Sequence, residues 1–464
     1  MIKVESGIRN FVSRAWHPAQ RPRRVEVHYL VGAMGGTTGT SGGGGVVADA
    51  RIDATADTPA DAPPEAAAGF GDRTLLLIGA AVTLPLVWMG YGTDIDVPDV
   101  LASAETIREG DYIPSRPPGV PVFESITAVL DPVGGHVLVN LATAAAGALT
   151  VVGISRLVRA WGHRNGDLIA LAFLASPMTL ISATSTGDFI WAVGFLVWAT
   201  LWLVRGHPVA AGVLFALAVG TRLSSIFLVV ALLVADGWDR EHRPRAARAL
   251  AVTVPLSVLL YVPAWFAYGR TSQILETAEG WRSFGNNLGR FALKNYASAG
   301  IVLLAVVAVA SPALVRALRR FGDDPMLRAG VLGFAVSQAL FLVLPWKYNH
   351  LLPALLMLLL WLGASARNRR SFLWLTVAAV ALNGIVTFRP LTPDSASEAQ
   401  AGHWDPAVTT GLLVNDVRCR LDAMHDDPPP LNRVAWACTL VPLRGEQVDP
   451  VDPKDDLPLR ERYG

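Results

Sequence analysis

The stretch PVAAGVLFALAVGTRLSSIFLVVALLVA, Pro208–Ala235, decides how this chain is folded. Its one charged residue, Arg222, follows Gly220-Thr221 in an otherwise apolar run. Read as one long helix, it would place Arg240, Arg243, Arg245 and Arg248 on the opposite side of a membrane from the other basic connections. Broken at Gly220-Thr221-Arg222, it becomes two short half-spans with Arg222 at an outer-side turn, and the basic connections fall on one side, as cytoplasmic loops do. Non-helical backbone at membrane depth is tolerated only where it is buried in protein or lines a cavity. The two half-spans must therefore pack inside a bundle.

Further candidate spans lie near 74–91, 134–155, 168–184, 188–204, 249–268, 297–315, 329–345, 350–364 and 371–388. With the half-spans at 208–220 and 223–235, the expectation is an all-α polytopic membrane protein of about 11 segments. With the N-terminus inside, the inner connections carry Arg156, Arg159 and Arg164, then Arg205, then the Arg240 cluster. Arg316, Arg319, Arg320 and Arg328 follow, and lastly Arg367, Arg369 and Arg370. Composition agrees. The 464 residues are 52% hydrophobic and only 17% charged, where a soluble chain carries about a quarter charged. That excludes a single soluble domain and a disordered scaffold. A net charge of +1 gives no support to nucleic-acid binding, and two cysteines exclude a Cys-rich metal site or a disulfide-rich scaffold.

Residues 1–72 read as a mostly disordered cytoplasmic tail, which a misassigned start codon would have extended. Five arginines from Arg9 to Arg24, the run Gly42–Gly45 and an Ala/Asp/Pro stretch cannot bury enough apolar surface to offset ordering. Residues 73–388 form the membrane domain and 389–464 an extracytoplasmic tail. Both cysteines, Cys419 and Cys438, fall in that tail, where disulfides persist, so a Cys419–Cys438 bridge is expected. The whole places the protein in the plasma membrane as a multi-pass chain.

The ionisable residues left at the outer boundary are few. Gly92-Thr93-Asp94-Ile95-Asp96-Val97-Pro98-Asp99 brings three carboxylates together directly after the first span. Such a group serves as a general base, a metal ligand or an acceptor clamp; the plainer reading is a solvated loop with Asp99 capping a helix. Four prolines surround Arg116 in Pro114-Ser115-Arg116-Pro117-Pro118-Gly119-Val120-Pro121, which favours an extended, rigid path. A fixed arginine suits a phosphate or carboxylate; a stiff connector explains the prolines equally well. From Pro121 to Leu130, Val122, Ile126 and Leu130 share one face of an interfacial helix. Asp188, after Gly187, reads as a helix cap. In the loop 269–296, Glu279 stands near Trp281, which reads better as an interfacial anchor than as a sugar platform.

In this order and sidedness, the acidic pair, the Tyr112-x-x-Ser115-Arg116 stretch, the loop helix, the small-residue half-span ending at Arg222 and the outer turn Lys347-Tyr348-Asn349-His350 before Pro353 resemble the GT-C superfamily of membrane glycosyltransferases. The resemblance covers roughly residues 74–388 through loose motifs. It implies a mannosyltransferase-like enzyme that takes a hexose or pentose from a polyprenyl-phosphate carrier at the outer face. The acceptor would be an envelope glycan, lipid or protein. It also implies an aspartate base, Asp94 or Asp96, and inversion in a direct displacement. Asp-Ile-Asp departs from the Glu-containing pair many relatives carry, so the choice stays open. Arg116, Arg222, Lys347 and His350 would hold the donor phosphate, with Tyr112, Ser115, Tyr348 and Glu279 contacting substrate. A lipid-monophosphate donor implies no metal and no other cofactor. The alternative is a polytopic transporter or lipid flippase. Transporters place ionisable groups near the midplane, often across repeats; these spans are almost free of charge and no repeat is apparent.

Overall fold

The structure is a computed structural model of the chain; it describes residues 70–94, 96–268, 284–343, 348–366, 369–389 and 407–425. The chain divides into two units, residues 1–64 and 65–464, and all described residues lie in the second. Among the described residues this unit is helical apart from one antiparallel pair, β1 (Val386–Arg389) with β2 (Ala407–Thr410).

The helices follow the apolar runs. They are α1 (Asp72–Thr83), α2 (Val97–Arg108), α3 (Pro121–Ala160), α4 (Gly166–Leu174), α5 (Pro177–Ala183), α6 (Phe189–Val204), α7 (Pro208–Thr221) and α8 (Ser225–Asp236). Then come α9 (Arg243–Tyr268), α10 (Phe284–Ala317), α11 (Pro325–Val343), α12 (Leu352–Ser365), α13 (Arg370–Ile385) and, after the strands, α14 (Leu412–His425). A helix occupies each place where hydropathy predicts one. Among the described residues, however, four are long and apolar enough to cross a bilayer alone, or five if the pair α4–α5, bent by 72°, counts as one. The remaining apolar helices are shorter than the roughly 18 residues a crossing takes.

Two breaks position the site. The interfacial helix and the second span predicted from the sequence are the two helices that make up α3, parted where Gly134 and Gly135 leave helical geometry, Gly135 at φ +54°. The break at Arg222 lies where the charge pattern puts it: α7 ends at Thr221, Arg222 is extended (φ −151°, ψ 116°), and α8 starts at Ser225. The first turn of α3 is seated on the end of α7. A Cβ on Gly220 would stand 2.8 Å from Val122 Cγ2 and 2.6 Å from Leu260 Cδ1, so the helices approach at a distance only glycine permits.

The core runs through α3 to α8 and α11 to α13, with Phe173, Phe215, Phe341 and Ile190 fully buried. Outside it lies a wide apolar exposure. Val258 and Leu259 of α9 are each 63% exposed and Val309 of α10 is 82% exposed. Such a surface in water would be an aggregation patch; against lipid it is the natural outer face of a bundle. Pro255 and Pro263 inside α9 and Pro312 inside α10 are tolerated in that setting.

The charged residues gather at two ends. At one, Asp72 pairs with Arg156 and Arg159, Asp167 with Arg370, Asp236 with Arg245 and Asp239 with Arg328. His163 Nε2 lies 3.2 Å from Asp324 at the same end. Arg156, Arg159, Arg245, Arg328 and Arg370, all predicted to lie on one side, are paired at this end. The other end holds the first loop, the break at Arg222, the turn at Asn349 and the start of α14.

Candidate active site

Thr93 and Asp94 follow the close of the first span and are buried, Asp94 to 7% exposure. Gly92, at φ +106°, lets the chain pass so close to Ser185 that any side chain there would collide with it. Asp94 then folds the start of α2 over itself: its Oδ1 accepts from the Asp96 backbone N–H at 3.0 Å, and its carbonyl accepts from Val97. Its Oδ2 accepts from the Asn349 amide at 3.2 Å. Asp96 occupies the N-cap position of α2, without a side-chain capping bond. Asp99, expected to cap, lies instead within the first turn, where a carboxylate favours the helix dipole.

The loop around Arg116 is organised by a residue the sequence reading passed over. Glu124, in the first turn of α3, is fully buried. It accepts from the Ser115 backbone at 2.8 Å, from the Val120 backbone at 3.2 Å and from the Tyr112 hydroxyl. Tyr112 and Ser115, named as substrate contacts, are thus drawn toward Glu124. Arg116 is held between Asp96 and Asp188, the latter at 3.1 Å. Burial alone would lower its pKa. The surrounding carboxylates, Asp96 and Asp188 foremost, outweigh that and raise it further above the ordinary arginine range.

Asp188 is the hub of the cluster. It stands at the N-cap of α6 yet makes no side-chain capping bond, so the cap reading is corrected. Only 3% exposed, it receives Arg222 Nη1 at 2.9 and 2.8 Å on its two oxygens, besides Arg116. Arg222 Nη2 meets His350 Nε2 at 3.1 Å, and the guanidinium lies 3.8 Å over the Phe189 ring. Phe189 and His350 are themselves 5.5 Å apart between ring centroids. Asp188 and its neighbour Phe189 thus form one cation-π and ion-pair unit with the distant Arg222 and His350.

Asp94 opens onto a small cleft whose walls include Ser182, Phe189, Asn349, Met178 and Leu412. Ser182 Oγ is buried and without a hydrogen-bond partner. Phe189 links the cleft to Arg222 and His350. The arrangement offers a carboxylate, an amide and a hydroxyl on one side and an aromatic face backed by a cation on the other. That can bind a hydroxylated ring and take a proton from it.

The structure therefore brings together Asp94, Asp96, Arg116, Arg222 and His350. Glu279, Lys347 and Cys438 lie outside the described residues, as does the side chain of Tyr348, whose backbone opens a short 3-10 turn. Cys419 is a buried free thiol on α14. Sequence reasoning missed Glu124, Asn349, Ser182 and the pair Asp416–Arg420. A lone acid on an apolar loop helix was the available signal for Glu124. Acid and base four residues apart in the tail was the signal for the pair.

The described helices form a bundle with buried ion pairs and, at one end, a cleft reached by Asp94, Ser182 and Asn349. Residues 117–345 match the sequence model of glycosyltransferase family 87, so this stretch of the chain is similar to the glycosyltransferases of that family. No curated protein matches the chain significantly. Among solved structures, ArnT from Cupriavidus metallidurans bound to undecaprenyl phosphate is 16% identical, over 78% of this chain and 74% of that one, with a TM-score of 0.46. The same protein in the apo state is 18% identical over the same shares, with a TM-score of 0.47. The Archaeoglobus fulgidus oligosaccharyltransferase in the apo form is 15% identical over 67% of this chain and 49% of that one, at 0.36.

Proposed function

We propose that the enzyme transfers a sugar from a polyprenyl-phosphate carrier to an acceptor hydroxyl at the outer face, with inversion and with Asp94 as the base. The observation that carries the choice is that Asp94 lines the cleft, whereas Asp96 is engaged with Arg116. The acceptor oxygen attacks the anomeric carbon as Asp94 takes its proton, and the bond from that carbon to the phosphate oxygen breaks on the opposite face. Negative charge grows on the departing phosphate, and fixed cations aimed at it lower the barrier. Arg222 and His350, coupled to each other and to the Phe189 wall, suit that role; Lys347, two residues before Asn349, is assigned with them. Asn349 and Ser182 suit sugar or acceptor hydroxyls. Arg116 keeps Asp96 and Asp188 in register.

The test uses membranes carrying wild type, Asp94→Asn or Asp96→Asn, supplied with a panel of radiolabelled polyprenyl-phosphate hexoses and pentoses. Loss of a general base is expected to lower kcat by roughly 10²–10⁴ in Asp94→Asn. Asp96→Asn should instead lose activity together with thermal stability, because it strips Arg116 of a partner. Equal transfer by wild type and Asp94→Asn would sink the assignment. Binding of a carrier without transfer from any donor in wild type would favour the transporter reading.

A further inference from the structure

The segment after the last predicted span reads in the sequence as a loose tail, yet α14 is tied into the floor of the active site. Asp416 and Arg420, one helical turn apart, are 0% and 2% exposed, among the most buried ionised groups described. Arg420 Nε lies 2.8 Å from Asp416 Oδ2. The guanidinium also reaches across: Nη1 donates to the Thr184 carbonyl at 2.8 Å and, at 3.5 Å, to that of Leu86, while Nη2 donates to Ser185 Oγ at 2.7 Å. Asp416 Oδ1 accepts from the Thr93 hydroxyl, and Thr93 is the residue immediately before Asp94. The two strands of loop so gathered are joined directly as well, the Thr186 backbone donating to the Tyr91 carbonyl at 2.7 Å. At its start α14 contributes Leu412 to the wall of the cleft.

We infer that Asp416, Arg420 and Thr93 are positioning residues: α14 acts as a clamp that fixes the Asp94 loop against the 184–188 turn, and so sets where the base stands over the cleft. The inference rests on the reading of Asp94 as the base. A buried ion pair that is also hydrogen-bonded to two loops is a poor source of net stability but a strong geometric constraint, because removing one partner strands the other charge. Through Thr93 the constraint reaches Asp94 by one peptide bond. Through Thr184 and Ser185 it reaches the turn that carries Asp188, and hence the arginine pair. Displacing a reacting group by about 1 Å costs on the order of a hundredfold in rate, which is the scale of effect the clamp controls.

The experiment uses the full chain purified in detergent, as wild type, Thr93→Val, Thr93→Ser, Asp94→Asn and the double variant Asp416→Leu/Arg420→Met. The double variant replaces the pair with apolar groups and removes no single partner, so that α14 keeps its packing. Two readouts are taken: amide hydrogen exchange over residues 91–97, and kcat and KM with the labelled polyprenyl-phosphate sugar that wild type uses. The expected result is faster exchange over 91–97 in Thr93→Val and in the double variant, with kcat lower by about ten- to a hundredfold. KM for the donor should stay within about twofold, and Thr93→Ser, which keeps the hydroxyl, should restore both readouts. Wild-type exchange and wild-type kcat in Thr93→Val and the double variant would overturn the clamp while Asp94→Asn stays inactive. Full activity in Asp94→Asn would overturn the base assignment instead, and the exchange data would still decide whether the loop is clamped.

Discussion

At the residue scale, the site is governed by Asp188, the residue that looked least distinctive in the sequence. An aspartate after glycine at a helix start is usually a cap, and this one occupies that position while bonding two arginines instead. The misreading has a physical cause. Caps are local, whereas the demand for a counter-ion comes from Arg116 and Arg222, 72 and 34 residues away, whose convergence only the fold reveals. Asp94, Arg222 and His350 were legible because they sit at span boundaries, where an ionisable group stands out from its neighbours. Glu124 and Asn349 were not, because their partners are backbone amides and another side chain that no spacing rule brings together. If Asp188 couples the arginines, Asp188→Asn should lose about 3 kcal/mol of stability by leaving Arg222 largely buried without its carboxylate. Arg222→Gln should lose a similar amount, and the double variant should be no less stable than the worse single. Thermal unfolding of the three variants in detergent measures this. Losses that simply add would show that the two residues act independently.

At the element scale, the pair α7–α8 is where sequence and structure meet most closely. The break at Gly220-Thr221-Arg222 was required by the charge of a loop some 20 residues downstream, and the helices end and begin around it. Charge sidedness and small-residue composition are properties of single residues, so they survive in the sequence. What they do not carry is the contact that makes the break useful. The turn is covered by the first turn of α3, with Val122 directly above Gly220 and Glu124 two residues further on. Gly220→Leu should therefore push α3 off α7 and loosen the Arg116 loop that Glu124 holds. Overpacking of this kind costs about 1–3 kcal/mol. A lowered melting temperature with a fall in kcat beyond what the loss of folded protein explains is the expected outcome. A variant as stable and active as wild type would mean that α3 does not bear on α7 there. The tail carries the opposite lesson. Residues 407–425 lack strong hydropathy, so they read as an appendage, although β2 pairs with β1 and α14 packs beside α13 and α5.

At the scale of the whole molecule, two facts bear on how the bundle would stand in a membrane. Its flanks expose large apolar side chains, among them Phe266, Val258 and Val309, and its charged pairs are confined to two ends. The end opposite the cleft is rich in arginine, the signature of a cytoplasmic side. One detail there departs from the simple count. Arg328 was reckoned as a loop cation, but it is buried, donating to the Ala235 carbonyl at 3.0 Å and pairing with Asp239. It stitches α11 to the end of α8. Arg240 is exposed at that same end, in the short turn between α8 and α9. If the half-span pair returns the chain to the cytoplasmic side, a cysteine at Arg240, in a chain whose Cys419 and Cys438 are serine, should resist a membrane-impermeant maleimide in intact cells and label fully once the membrane is opened. A cysteine at Asp111, in the loop on the cleft side, should label in intact cells. The pair of positions separates the alternatives: labelling of both from outside would mean that the two halves of Pro208–Ala235 together make one crossing, and labelling of Arg240→Cys alone would invert the molecule and place the cleft on the cytoplasmic face.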